Sequence, residues 1–582
     1  MGSNPLREPE WLPGLIVYEV APRAFTSPRG PETGTFASLT GKIPYLRELG
    51  ITGIWLTGHN LAHDSHFYGI WTQYATIRPD ALDERLGTRE ELRAMIRAAH
   101  DAGIKVFLDV ITHGVMKDSP LVTEHPQWFK GGTWGMTDYD WFGDHEDLFR
   151  WWVDTWVRYG VEDGIDGYRL DVSMYRPDLW QEIKRKAQDA GHPIVVFHEL
   201  GPGKRGVVDF LQRDIRMKDQ RNTFDFSASY LTNMRRTLAD VVANPTPSFT
   251  VDAELADGSH RTSAGDLRVR GVKRVSRDVK NGRTGDTYGE DLFEMEIEPY
   301  LDPASLRNLW VSSGEHQTWM LRDNIAADYI LEPVPTAPGK RAPGSLRVRF
   351  PVRLCPKDTV SIQLSCHDDG WDGFPSGQNP YAARGSRFVF GYGFLLTPAV
   401  PIFMSGEEFD ADFRPLPRLS PGLFGGSGAG QGTWLYGSWL DWEQLEEPRH
   451  REMLEDVKAI IRIRKEFARL IRPARREGRL DGFYELPVRT PAGVPVPYAY
   501  CDVDGLLMVA ANPSTDQDVT LKVPVPWRSL PIRKAGSYQV RDVWRGTPAR
   551  SAARPELNEL TVEVRRDRVS KGGLSVVSIS PA

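Results

Sequence analysis

Chemistry in this chain gathers where apolar strands end in charge. The stretch Gly164-Ile165-Asp166-Gly167-Tyr168-Arg169-Leu170-Asp171 closes on a cation and a carboxylate two residues apart. Alternate side chains of a strand share a face, so Arg169 and Asp171 point the same way. A guanidinium beside a carboxylate favours the ionised acid, which suits a nucleophile that must stay charged near neutral pH. Taken alone, such a pair is more simply a structural ion pair. Three further apolar runs change that reading: Ile104 to His113, which carries Asp109; Ile194 to Glu199; and Val360 to Asp368. Four strands with acids at their carboxyl ends imply one shared site, because in a parallel α/β barrel those ends all open onto one face.

The elements that must hold these acids are visible in the apolar spacing. Ile51 to Leu56 reads as a strand after a helix at Phe36 to Leu49. Glu90 to Ala102 carries apolar residues at Leu92, Met95, Ile96 and Ala99, a helical period stopped by Gly103. Asp147 to Gly160 reads as the helix before the Arg169 strand, and Arg451 to Leu470 as a last long helix. Strands alternating with helices in this way predict βαβ units and a parallel sheet.

At this point the chain resembles the α-amylase family of retaining glycosidases and transglycosylases. Its four motif regions are matched in order by Asp109 to His113, Gly167 to Asp171, Glu199, and His367-Asp368. Val17 to Phe25 is similar to the family's first strand and Leu396 to Glu408 to its eighth. The resemblance implies an α/β fold: a (β/α)8 TIM barrel over 10–470 with a short domain B excursion at about 114–146. A β-rich insertion at about 245–354 sits between the sixth and seventh strands, with prolines at 333, 335, 338 and 343 marking part of it as loop. Short alternating runs after residue 470 predict a C-terminal all-β sandwich over 471–582.

Residue by residue, the resemblance implies Asp171 as nucleophile, Glu199 as general acid/base, and Asp368 as the carboxylate that orients sugar hydroxyls. Asp369 is the neighbour that competes with Asp368, and motif register decides between them. Retaining hydrolysis needs two carboxyl groups about 5 Å apart, one attacking while the other protonates the leaving oxygen. His113 and His367 stand where family members hydrogen-bond the sugar in the cleaved position. Arg169 keeps Asp171 charged, Asp109 holds Arg169, and Tyr68 is the stacking aromatic, with Phe67 and Trp71 as alternatives. No cofactor and no metal are expected, since Thr112 stands where the family carries the Asn it uses to bind calcium. Met174 and Tyr175 replace the Lys and His with which α-amylases grip the glucan, which shifts the expectation from starch to a short, cyclic or unusual α-glucoside.

The expected activity is therefore retaining hydrolysis of α-glucosidic bonds in oligosaccharides or α-glucans. The alternative on the same site is an α-glucan transglycosylase, and a remote one is an inactive carbohydrate-binding scaffold. Composition agrees: 582 residues suggest two to four domains, and a net charge of −6 argues against nucleic acid or an anionic membrane as partner. Cys355, Cys366 and Cys501 are too few and scattered for a disulfide framework and read as buried thiols. No run reaches the roughly 18 apolar residues of a membrane span, and Met1 to Glu10 is polar, so a cytoplasmic enzyme is expected.

Overall fold

The computed structural model describes residues 9–62, 73–132, 135–141, 143–171, 177–198, 249–280, 287–313, 317–320, 330–337, 339–340, 342–351, 361–364, 386–412, 414–415, 438–471, 482–486 and 488–582. Its centre is a parallel sheet of seven described strands. They run in the order Ser361–Gln363, Val400–Met404, Val17–Val20, Gly53–Leu56, Lys105–Val110, Gly167–Leu170 and Val195–His198. Pairing of the Val400–Met404 strand with the first strand brings the last strand of the series beside the first, as in a (β/α)8 barrel. The expected sixth strand falls in 199–248, outside the described residues.

Side-chain alternation sorts each strand into two faces. Ile54, Leu56, Val106, Leu108, Tyr168 and Leu170 pack with the surrounding helices in the main apolar core. The intervening Leu15, Val17, Trp55, Phe107, Val400 and Ile402 form a separate cluster. This second cluster is the interior plug of the barrel, filled by large side chains as such barrels require. Moving two residues along the same inward face from Phe107 reaches Asp109, and from Gly167 reaches Arg169 and then Asp171. The interior thus changes from apolar to charged toward the carboxyl ends.

Two readings of local structure are corrected. The helix expected over Phe36 to Leu49 is two helices, Phe36–Thr40 and Ile43–Leu49. Pro44 at the start of the second has no N–H to bond back into the first, so the chain turns at Gly41-Lys42. Of the prolines read as loop, Pro333 and Pro335 lie in the strand Ile330–Pro335, and Pro343 opens the strand Pro343–Pro351. Ile330–Pro335 is an edge strand, where a missing N–H on the open side breaks no ladder bond.

The insertion contains two four-stranded antiparallel sheets. In the second, Met295, Ile297, Leu346 and Val348 are buried, while Arg347 and Arg349 alternate with them on the opposite face. There Arg347 pairs with Glu296 at 2.7 Å and Arg349 with Glu294 at 2.6 Å. Toward the carboxyl terminus, six strands between Phe483 and Pro581 form one antiparallel sheet, and Val519–Pro524 pairs with Glu559–Val564 across the core. Cys501 is a free thiol in that sheet, pushed up to about 12 by burial. Cys355 and Cys366 lie outside the described residues.

A buried charge network fastens the C-terminal region to the barrel. The Asp567 carboxylate caps the helix Ser386–Phe390, accepting from the backbone N–H of Arg387 (3.3 Å) and of Phe388 (2.6 Å). Arg387 in turn donates to Asp456 at 2.6 Å, on the long helix Pro448–Glu466. Burial pushes Asp567 up to about 7, against the pull of those N–H groups and of Arg387. The folded protein then keeps this proton up to about pH 7, while the unfolded chain releases it near 3.8. Across that window the folded state binds more protons, so stability falls as pH rises. The expected result is that, between about pH 5 and about pH 8, the melting temperature of the wild type drops relative to that of Asp567→Asn. Parallel melting curves at all pH values would contradict it.

Candidate active site

The charged layer above the barrel plug is built by strand register. Asp109 and Arg169 are direct neighbours across the Lys105–Val110 and Gly167–Leu170 strands. Asp109 is fully buried and accepts four hydrogen bonds: from the Trp55 indole N–H (3.1 Å), from the Tyr74 hydroxyl (2.8 Å), and from Arg169 Nη1 on both its oxygens (3.1 and 3.2 Å). The same Nη1 donates to Asp171 Oδ1 at 2.9 Å. The guanidinium carbon also lies 5.0 Å from the centre of the Trp55 ring, so an aromatic face backs the cation. One arginine is thereby held between two carboxylates, and its charge favours the ionised form of both.

The second oxygen of Asp171 faces His113, whose Nε2 lies 3.6 Å away. Thr112, the residue before it, spends its hydroxyl proton on the Asp171 carbonyl oxygen. The Asp171 N–H donates to the Val110 carbonyl at 2.9 Å, and the Trp141 indole N–H donates to the Thr112 carbonyl at 2.9 Å. Backbone and side chain of Asp171 are thus pinned from the Lys105–Val110 strand and the loop that follows it. The result is a carboxylate at the mouth of the barrel, fixed in place with one oxygen on a cation and the other beside an imidazole. Such a group can attack an electrophilic carbon without first losing a proton.

Asp109, His113, Arg169 and Asp171 are brought together. Glu199, Asp368, His367 and Tyr68 lie outside the described residues, as do Phe67, Trp71, Asp369, Met174 and Tyr175. The strand Val195–His198, in register with Gly167–Leu170, ends at the residue before Glu199 in sequence. Two partners were not anticipated. Tyr74 stands just before the strand Thr76–Leu82 and signals itself only as an aromatic near the Tyr68 segment. Asp138 lies on the excursion, 3.5 Å from His113 Nδ1, and nothing in its local sequence marks it.

Two other acids at a strand end serve the frame instead. Glu408, fully buried, accepts from the hydroxyls of Tyr18 (2.7 Å) and Tyr45 (2.5 Å) and from the Gly406 N–H (2.8 Å), and burial raises it above the usual carboxylate range. Glu407 accepts from the Met404 N–H at 2.8 Å. These contacts tie the Val400–Met404 strand to the first strand and to the helix Ile43–Leu49. A calcium ion takes six to eight oxygen ligands. The Thr112 hydroxyl already serves Asp171, and among the described residues no three His, Cys, Asp or Glu side chains gather as a metal site.

Comparison with known proteins agrees with this geometry. A model of the α-amylase catalytic domain matches residues 19–146. The α-amylase MalA of Haloarcula japonica is 28% identical over 217 residues, covering 34% of this chain and 31% of that protein. A cyclomaltodextrinase of Thermoanaerobacter pseudethanolicus is 25% identical over 247 residues, covering 34% of this chain and 42% of that one. The matched stretches thus span well under two thirds of these relatives' length. Among solved structures, the α-amylase of Geobacillus thermoleovorans complexed with acarbose superposes with a TM-score of 0.55 over 98% of this chain and 99% of that one, at 13% identity, a likeness of fold. With the Val400–Met404 strand paired to the first, the Asp109, Arg169 and Asp171 layer above the plug, and the catalytic-domain model matching from the first strand through the excursion, the chain is similar to the α-amylase family over residues 19–146.

Proposed function

We propose that the chain is a retaining glycoside hydrolase acting on α-glucosidic bonds of short or cyclic α-glucans. The observation that carries this reading is the Asp171 carboxylate, held between Arg169 and His113 at the carboxyl end of the barrel. In the proposed reaction one Asp171 oxygen attacks the anomeric carbon while Glu199 protonates the leaving oxygen, giving a covalent glycosyl-enzyme. Water, deprotonated by Glu199, then releases the sugar. Arg169 keeps the nucleophile charged, His113 hydrogen-bonds the sugar in the cleaved position, and Asp368 with His367 grips its hydroxyls. Tyr68 stacks against the ring. The preference for short or cyclic substrates follows from Met174 and Tyr175 and is supported by the cyclomaltodextrinase among the relatives.

Three outcomes are expected. Asp171→Asn keeps the shape of the side chain but cannot form the covalent intermediate, so hydrolysis of an aryl α-glucoside should fall by at least about a thousandfold with the fold intact. Phenol release within tenfold of wild type would remove Asp171 from its role.

Two inversions restore the starting configuration, so the first sugar released should be the α-anomer. Proton NMR in the first minutes of hydrolysis, before mutarotation, reads it directly, and initial β-anomer would overturn the reading. Finally, with Thr112 serving Asp171, a calcium chelator should change neither activity nor melting temperature. Loss of several degrees on chelation, restored by added calcium, would contradict this.

A further inference from the structure

The short excursion after the Lys105–Val110 strand does more than flank the barrel mouth. Gly114–Met116 and Met136–Asp138 form an antiparallel ribbon in which Gly114 pairs with Asp138. The ribbon begins at the residue after His113 and is stitched to it by the Tyr139 N–H, which donates to the His113 carbonyl at 2.8 Å. Its strands meet closely: a Cβ at position 114 would stand 2.0 Å from the Thr137 carbonyl oxygen. Glycine is what allows this approach. The consequence is that Asp138 Oδ1 comes within 3.5 Å of His113 Nδ1, while the other ring nitrogen lies 3.6 Å from Asp171 Oδ2. The imidazole spans two carboxylates, one from the ribbon and one from the barrel.

We propose that Asp138 is a positioning residue for the reaction, acting through His113; this rests on the hydrolase reading above. An acceptor at Nδ1 fixes the rotation of an imidazole ring and determines which nitrogen is presented to the other side. Here that nitrogen is Nε2, aimed at Asp171 and at the space where a sugar hydroxyl must sit. Both distances exceed a hydrogen bond, as is common in unliganded sites whose contacts tighten when substrate binds. A purely structural role is a poor account of Asp138. Its side chain is 27% exposed, and its oxygen stands 3.5 Å from the ring nitrogen, longer than a hydrogen bond, so the contact adds little to stability. A carboxylate that steers a ring touching substrate instead acts on turnover, because small misplacements of reacting groups are costly.

The test is a double-mutant cycle with a spectroscopic arm. Asp138→Asn should lower kcat/KM on an aryl α-glucoside by about tenfold, with the melting temperature unchanged. In a His113→Ala background the same substitution should cost less than about twofold, since its target is gone. In protein labelled with 13C at histidine Cε1, the His113 signal, assigned by its loss in His113→Ala, should move in Asp138→Asn. Equal losses in both backgrounds, or a His113 signal that stays in place, would overturn the proposal. The spectroscopic arm needs no turnover, so it judges Asp138 even if Asp171→Asn shows the hydrolase reading to be wrong.

Discussion

Everything at the mouth of this barrel depends on one buried cation. Arg169, with its side chain 3% exposed, is the counter-charge to both Asp109 and Asp171, and Trp55 and Tyr74 complete the shell around Asp109. Removing one partner from a buried ion pair typically costs about 3–5 kcal/mol, because the remaining charge is left without compensation. The three groups therefore form a unit: none can be exchanged without penalising the others. Geometry also divides the labour. Asp109 is enclosed by four donated hydrogen bonds, whereas Asp171 has one oxygen on Arg169 and the other beside His113.

That division follows from chain direction and a two-residue period. Phe107 and Asp109 share an inward face, as do Gly167, Arg169 and Asp171, so each strand passes from plug to chemistry as it climbs. The plug of Val17, Trp55, Phe107, Val400 and Ile402 excludes water from beneath the charged layer. In such low-dielectric surroundings the pairing of Arg169 with its carboxylates is stronger than in water. At the far end of the chain a buried carboxyl group serves a different purpose, where Asp567 caps the helix Ser386–Phe390 and so couples the C-terminal region to the barrel.

Much of this was legible in the sequence because it is local. The alternation of apolar and charged residues fixed the inward positions of Asp109, Arg169 and Asp171, and Gly103 marked a helix end to within two residues. What escaped is what depends on how distant segments fold against each other. Tyr74 reaches Asp109 across 35 residues, and Asp138 reaches His113 only because a glycine lets two short strands close. Pro44 divided a helix whose apolar spacing looked continuous, and three prolines taken for loop proved compatible with an edge strand and the start of its neighbour.

The central role proposed for Asp171 is that it becomes covalently bonded to sugar. A fluorinated α-glucosyl fluoride that forms the glycosyl-enzyme faster than it is hydrolysed, followed by peptide mass spectrometry, measures this directly. The peptide containing Asp171 should gain the mass of one fluorinated glucosyl group, and fragmentation should place it on that residue. A label on another carboxylate, or turnover of the reagent with no labelled peptide at any time, would contradict it.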